Sequence, residues 1–373
     1  MKNVLVIGNA ASVWTKEYIK NTHVKFGHKV WVTYYDKLDS DVIEFYKNLN
    51  VKTIDLHANN KITKIFKYYR GFNKFFSRHK TDLDIIDIQS PPHSWQSDII
   101  AKLSRKINAK VIVTFWGSDI LRITEKDSKR LEKSLKISKW INIGTLQMHE
   151  MLRKYFGTKF DDKCIYIGFG GPALTYIRDC NISKSDSKIK LGLDPSKLTV
   201  AVGYNGNRDQ QHIEAIKAIG VLDEMQKDKI QLLIHLVSCQ DDGYIDEIIK
   251  ELKEYNLNYV IIRDMLDLKD IAIMRVATDI FVHAQISDGL SGSIREAVYA
   301  GSTLLNPSWI KYDKFDKDGV EYIQFSDFLD LTKKMRDVLN GDCKIDTKVN
   351  KNIIYDEYSW QAVEQKWLRI FNE

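Results

Sequence analysis

The stretch ISDGLSGSIREAVYAGSTLLNPSW (286–309) sets a run of small residues between a strand pattern and a helix pattern. Upstream of it, DIFVHAQIS (279–287) reads as a buried strand ending in polar residues. SIREAVYAG (293–301) reads as a helix with Gly301 at its C-cap. The loop SDGLSGS (287–293) therefore sits at the carboxyl end of a parallel strand, where open α/β sheets bind ligands. Gly289, Ser291, Gly292 and Ser293 leave backbone N–H groups open to an anion at the positive end of the helix. Asp288 precedes the helix and Glu296 lies in its first turn or so. Spacing alone says little: with 50 acidic residues in 373, an acid finds another eight positions on roughly one time in eight. Carboxylates flanking a phosphate site repel phosphates but accept hydrogen bonds from sugar or ribose hydroxyls.

The same strand–turn–helix rhythm runs along the chain. Apolar runs at 3–8, 29–35, 84–89, 110–117 and 139–144 read as strands, each followed by a polar turn and a helical pattern. The rhythm pauses in the turn-rich GFGGPALTYIRDCNISKSDSKIKLGLDPSK (168–197), then resumes at 198–206, 230–238, 258–264, 278–284 and 302–307. Two series of βα units predict two Rossmann-like domains, 1–180 and 190–356. The last segment, YSWQAVEQKWLRIFNE (358–373), reads as an amphipathic helix capped by Ser359, with Trp360, Val363, Trp367, Leu368 and Phe371 on its apolar side.

Bulk properties narrow the class. At 44% hydrophobic residues the composition is that of a soluble globular chain. A formal charge of +6 favours anionic ligands or an anionic membrane without pointing to nucleic acid. No window approaches the ~20 apolar residues of a spanning helix, and the opening MKNVLVIGNAASVW reads as a first strand rather than a signal peptide. Cys164, Cys180, Cys239 and Cys343 lack the pairing of a disulfide framework or zinc site, which predicts a cytoplasmic protein.

The pair Asp288-x7-Glu296, followed by REAVYAG and STLLNPSW, resembles the acid-x7-acid motif of retaining GT-B glycosyltransferases, in particular glycosyltransferase family 4. The family form usually begins with Glu. The resemblance covers nearly the whole chain and is strongest over 270–312. It implies two Rossmann-like domains facing each other across a cleft, with a C-terminal helix (357–373) crossing back to the first domain. By resemblance, Glu296 holds the nucleotide ribose, Asp288 the transferred sugar, and Gly289, Leu290, Ser291, Gly292 and Ser293 present amides to sugar and diphosphate. In VAVGYNGNRDQQH (200–212) the family carries an Arg and, a few residues on, a Lys that grip the diphosphate. Arg208 matches the first, beside Gly206 and Asn207, and its forked guanidinium suits a diphosphate. The Lys is missing, leaving His212 as a substitute or an ordinary helix residue.

In the first domain, DIIDIQSPPHSWQSDIIAKLSRKINAKVIVTFWGSDI (84–120) resembles the family segment leading to a His-Gly-x-Asp loop, with Trp116 in place of the His. Trp116 suits stacking on a sugar face, and Gly117 and Asp119 lie in a polar loop. Asp119 reads equally as a helix N-cap, and His93 as a capping or core residue. Asn9, in GNAAS (8–12), is placed with them on the acceptor side. The catalytic set implied is Arg208, Asp288 and Asp119.

The segment KITKIFKYYRGFNKFFSRHK (61–80) interleaves basic and aromatic residues, with Phe66, Tyr69, Phe72, Phe75 and Phe76 roughly on one side. It reads either as a core-facing helix with a solvated basic face or as contact with an anionic membrane at the inner face of the cell membrane. The activity expected is transfer of a sugar, with anomeric retention, from a nucleotide-diphosphate sugar to a saccharide or lipid-linked saccharide in bacterial cell-surface glycan synthesis. No Asp-x-Asp metal motif stands out, and no metal or other cofactor is expected. The competing readings are a nucleotide-sugar epimerase and a non-catalytic nucleotide-sugar-binding subunit. A dinucleotide oxidoreductase would want GxGxxG after the first strand, which GNAASVW lacks.

Overall fold

The computed structural model describes residues 1–373, the side chain of Lys61 excepted, and the chain divides into two units. The first comprises Met1–Gly170 and Val363–Glu373, the second Gly171–Ala362. Among the described residues no helix is long and apolar enough to cross a membrane.

The first unit holds β1 (Asn3–Ile7), β2 (Lys29–Tyr34), β3 (Lys52–Asp55), β4 (Ile85–Gln89), β5 (Lys110–Thr114), β6 (Trp140–Asn142) and β7 (Cys164–Ile165) in one parallel sheet. Their order is β3-β2-β1-β4-β5-β6-β7. The second holds β8 (Leu198–Val202), β9 (Ile230–His235), β10 (Tyr259–Ile262), β11 (Ile280–Val282), β12 (Thr303–Pro307) and β13 (Ile323–Phe325), ordered β10-β9-β8-β11-β12-β13. Each order reverses direction once at the centre, between β1 and β4 and between β8 and β11. Those are the topological switch points where doubly wound sheets leave a crevice at the strand carboxyl ends.

Burial on both faces explains the near-continuous apolar strands. In the second unit Val200 and Val202 enter one core with Ile216 and Ile234, while Ala201 enters the other with Phe281 and Leu304. That is the two-residue alternation of a sheet covered on each side. The edge strands β3, β7 and β13 are absent from the sequence-based expectation. β3 and β7 show no fully buried position, and β13 alternates buried Ile323 and Phe325 with exposed Gln324, so none carries a long apolar run.

The break between the units falls at Gly170/Gly171, inside the turn-rich 168–197 stretch. Residues 171–180 belong to the second unit, because Leu174 and Ile177 of the helix Leu174–Arg178 enter the core containing Phe281 and Ile294. The expected linker also contains the helix Lys184–Lys190, capped by Ser183. At the other end Tyr358 stays in that same core, so the returning segment starts at Val363 rather than at 357. Ser359 breaks the helix Thr347–Tyr358, and its Oγ accepts from Ala362 N at 3.2 Å, opening the helix Trp360–Asn372. In the first unit Trp367 is fully buried, donates to the Gly168 carbonyl at 3.1 Å and meets Tyr18 with ring centroids 5.0 Å apart.

Candidate functional site

The second unit's switch point joins two loops that are far apart in sequence. Tyr204, just past β8, shares its one hydroxyl proton between Gln285 Oε1 at 2.6 Å and Asp288 Oδ1 at 3.0 Å, both past β11. Gln210 Nε2 donates to the same Gln285 oxygen at 2.6 Å, Gln211 Nε2 to the Ala284 carbonyl at 2.6 Å, and Ile286 N to the Asp209 carbonyl at 3.0 Å. Gly206 sits so close to the β9 loop that a Cβ there would come within 2.8 Å of the Cys239 Cα, so only glycine fits that turn.

Asp288 is buried and heavily used. Its Oδ2 accepts from the Tyr312 hydroxyl at 2.7 Å and from the Ser291 amide at 2.8 Å, in addition to the Tyr204 contact on Oδ1. With about four lone-pair positions on a carboxylate, one remains, on Oδ1. Between Asp288 and Ser291, past Gly289, Leu290 takes φ 62°, a left-handed conformation that a branched side chain rarely adopts. The Asp288–Ser291 hydrogen bond closes this bend. The helix Gly292–Tyr299 then starts one residue earlier than its polar-to-apolar pattern suggests, with Ser291 as N-cap. The Ser291 amide is therefore occupied, whereas those of Gly292 and Ser293 lie in the first turn and have no intrahelical acceptor.

Glu296 lies in the second turn of that helix, not the first. It is 4% exposed, and its Oε1 accepts from Ala173 N at 3.2 Å while its Oε2 faces the Arg275 guanidinium at 3.5 Å. Burial pushes its pKa up, against the pull of Arg275. A second buried arginine, Arg295, feels the charges of both Glu296 and Asp288. The two acids thus belong to a desolvated, charge-balanced cluster, not to a solvated strand–helix junction.

Arg208 is half exposed, and its guanidinium is held by acids at the start of and within the helix Asp242–Glu254. Its Nε donates to Asp241 Oδ2 at 2.9 Å, its Nη1 and Nη2 to Glu247 at 3.1 and 2.9 Å, and its guanidinium lies 4.4 Å from the Tyr244 ring centroid. Neighbouring Asn207 caps the short turn Arg208–Gln210 through Asp209 N. His212 is fully buried, with Nδ1 3.0 Å from the Tyr244 hydroxyl, and burial lowers its pKa to about 4. It is neutral at pH 7 and does not supply the positive charge of the missing lysine.

In the first unit the residues after β1, β4 and β5 converge at the other switch point. Gly8 approaches Gln89, and the Asn9 side chain accepts from Ala11 N at 3.0 Å, turning its own loop. Trp116 Nε1 donates to Gln89 Oε1 at 2.9 Å, and Gln89 Nε2 donates to the fully buried Asp87 at 2.6 Å. Asp119 is not the N-cap that its position suggests. The helix is Ser118–Leu121, with Gly117 as N-cap at φ 129°, a conformation open to glycine. The Asp119 carboxylate accepts from Trp116 N at 3.0 Å and Gly117 N at 2.8 Å and receives a further hydrogen bond from Ser90. Burial raises its pKa, opposed by these donors and by nearby His93. His93 is half-buried, with no partner for Nε2 among the described residues. Asn9, His93, Trp116, Gly117 and Asp119 thus occupy neighbouring loops of one unit. Sequence reasoning missed Tyr204, Gln285, Tyr312 and Arg275 around the acids, and Gln89 with Asp87 beneath Trp116.

No family model matches this chain, and no curated protein does. Solved structures do. A glycosyltransferase from Rickettsia africae superposes with a TM-score of 0.78 at 14% identity, covering 100% of this chain and 98% of that one. Sucrose-phosphate synthase from Thermosynechococcus elongatus gives 0.77 at 12% identity, with 100% and 98% covered. HepE from Anabaena, solved in complex with UDP and glucose, gives 0.72 at 12% identity with both chains covered in full. What these likenesses share with the chain is its architecture: two parallel-sheet α/β units in the GT-B fold.

Proposed function

We propose that this chain is a retaining glycosyltransferase that moves a sugar from a uridine-diphosphate sugar to a saccharide or lipid-linked saccharide, in the building of a cell-surface glycan. The observation that carries the reading is the cross-bonded pair of loops at the β8/β11 switch point, where Tyr204 and Tyr312 hold Asp288 beside the start of the helix Gly292–Tyr299. The uridine donor is suggested by HepE, whose structures hold UDP and UDP-glucose.

In this reading the first-turn amides of Gly292 and Ser293 face the diphosphate, and Arg208 joins them by exchanging Asp241 and Glu247 for phosphate oxygens. That preorganised positive charge stabilises the leaving group, and the reading needs no divalent ion. Asp288 offers its remaining Oδ1 position to a sugar hydroxyl, and Glu296 orients the ribose. Neither carboxylate serves as a nucleophile, in keeping with how completely each is engaged. The acceptor oxygen bonds to the anomeric carbon on the face that the diphosphate leaves, the carbon–oxygen bond to phosphate breaks, and the acceptor proton passes to the departing phosphate oxygen. In the first unit, the loops carrying Asn9, His93, Trp116, Gly117 and Asp119 bind the acceptor, with Trp116 offering a sugar-stacking face and Asp119 an acceptor for its hydroxyl.

The test is incubation with UDP-glucose, UDP-galactose and UDP-N-acetylglucosamine, with release of UDP and the configuration of the product read by NMR. UDP release with a retained anomeric centre supports the reading. An epimerised donor without UDP release, or UDP binding with no turnover in the presence of saccharide acceptors, contradicts it.

A further inference from the structure

We propose that the trough between β3 and the helix Lys61–Arg78 binds an extended polyanion, specifically a saccharide chain bearing carboxylate or phosphate groups. The trough has a volume of about 760 Å³. One wall is the helix, which presents Lys67, Arg70, Lys74 and Arg78 to it at three- and four-residue spacing, one turn or ~5.4 Å apart. The other wall supplies Lys29 and Lys52, the first residues of β2 and β3.

These charges are mostly uncompensated. Asp55 lines the trough but is paired with Lys67 at 2.9 Å, and His79 is paired with Asp82 at 3.1 Å. Among the described residues Lys52, Arg70, Lys74 and Arg78 have no carboxylate partner, and 61–80 contains no acidic residue. Like charges at this spacing destabilise a helix, so a helix that only covered a core would gain from interspersed acids. An occupant with several negative charges removes that repulsion. The floor is apolar: Trp31 and Phe75 meet with ring centroids 5.6 Å apart, and Lys29 lies 5.0 Å from the Trp31 ring. Aromatic rings flanked by cations suit sugar rings carrying acidic groups.

The trough is distinct from the acceptor loops. It lies along β3, at the edge of the sheet, whereas Asn9, His93 and Trp116 follow the central strands β1, β4 and β5. Since β3 is the edge strand, the trough runs along the open side of the sheet, from Asp55 at one end to Arg78 at the other. The cations line a concavity, which a chain enters and a flat bilayer does not. Exposed Ile62 and Phe66 near one end are the feature a membrane would use instead.

In taking a saccharide chain as occupant, the proposal rests on the glycosyltransferase reading. It is tested on the full chain by titrating oligogalacturonate and inorganic polyphosphate, in parallel with vesicles of equal parts phosphatidylcholine and phosphatidylserine, and separately with UDP. Both chain probes should bind, more weakly as salt rises, and K74E/R78E should weaken them roughly tenfold or more. UDP binding should be unchanged in that variant, since its residues lie outside the second unit. Vesicle binding without chain binding, or chain binding indifferent to K74E/R78E, overturns the proposal. Chain binding without any UDP binding removes the transferase reading and leaves the trough standing.

Discussion

Substitutions at Arg208 and at Glu296 separate function from stability. Arg208 is half exposed, and exposed ion pairs contribute only ~0–1 kcal/mol to stability. R208A should therefore melt close to the wild type while weakening donor transition-state binding by about 2–4 kcal/mol, measured as kcat/KM for the UDP-sugar. E247Q, which loosens the hold on Arg208, should tighten UDP binding. By contrast E296A strands Arg275 in the interior, and should destabilise the second unit by about 3–5 kcal/mol in denaturant titration. Loss of activity in E296A alone would thus prove little. D288N would place an NH2 donor where one carboxylate oxygen accepts, facing either the Tyr204 hydroxyl or the Tyr312 hydroxyl with the Ser291 amide, and should lower stability by about 1–3 kcal/mol together with activity. The acids and Arg208 were legible in the sequence because they sit in a patterned strand–loop–helix. Tyr204, Tyr312 and Arg275 were not. Their partners lie 84, 24 and 21 positions away, and only the strand order brings β8, β11 and β12 side by side. The loss of His212's charge was equally hidden, since burial comes from tertiary packing.

Among the elements, the C-terminal helix was the easiest to foresee. Its Ser cap and apolar spacing are local, and Trp360, Val363, Trp367 and Phe371 are all buried. Trp367 packs on Tyr18 and Phe371 on His23, each against the segment that follows β1. W367A should cost about 3–5 kcal/mol and lower the melting of the first unit, with UDP binding by the second unit kept at temperatures below that transition. The helix Lys61–Arg78 faces the core with only part of its aromatic set. Phe72, Phe75 and Phe76 enter the core, while Phe66 and Tyr69 remain exposed with Ile62 and Ile65. A single aromatic side was expected because each residue advances by about 100°, but the angular spread of five rings exceeds the face that the sheet covers. The edge strands β3, β7 and β13 escaped notice for a related reason: β3 and β7 have no fully buried residue and β13 is three residues long, too short for alternation to be seen.

At the scale of the whole molecule, three histidines couple folding to pH. Burial, with the charge of His23 in the case of His28, lowers His28, His212 and His235 from an ordinary 6.5 to about 4. Between those values the unfolded chain binds more protons than the folded one, so their contribution is complete above pH 6.5 and lost as pH falls toward 4. Asp119 and Glu296, whose pKa values burial raises, act with the opposite sign. The His212 share is isolated by comparing unfolding free energies of wild type and H212N across pH 7 to 4. The variant's decline should be shallower by on the order of 2–3 kcal/mol. The two-unit α/β architecture was readable because βα repetition is a local pattern repeated ten times, whereas the domain boundary depended on which core Leu174 and Tyr358 joined. If the β8/β11 loops hold a nucleotide diphosphate, calorimetric titration of UDP into wild type, R208A and E247Q will show it. The expected result is saturable one-site binding, weakened at least tenfold by R208A and strengthened by E247Q. Absence of UDP binding, or equal affinity in all three proteins, would contradict it.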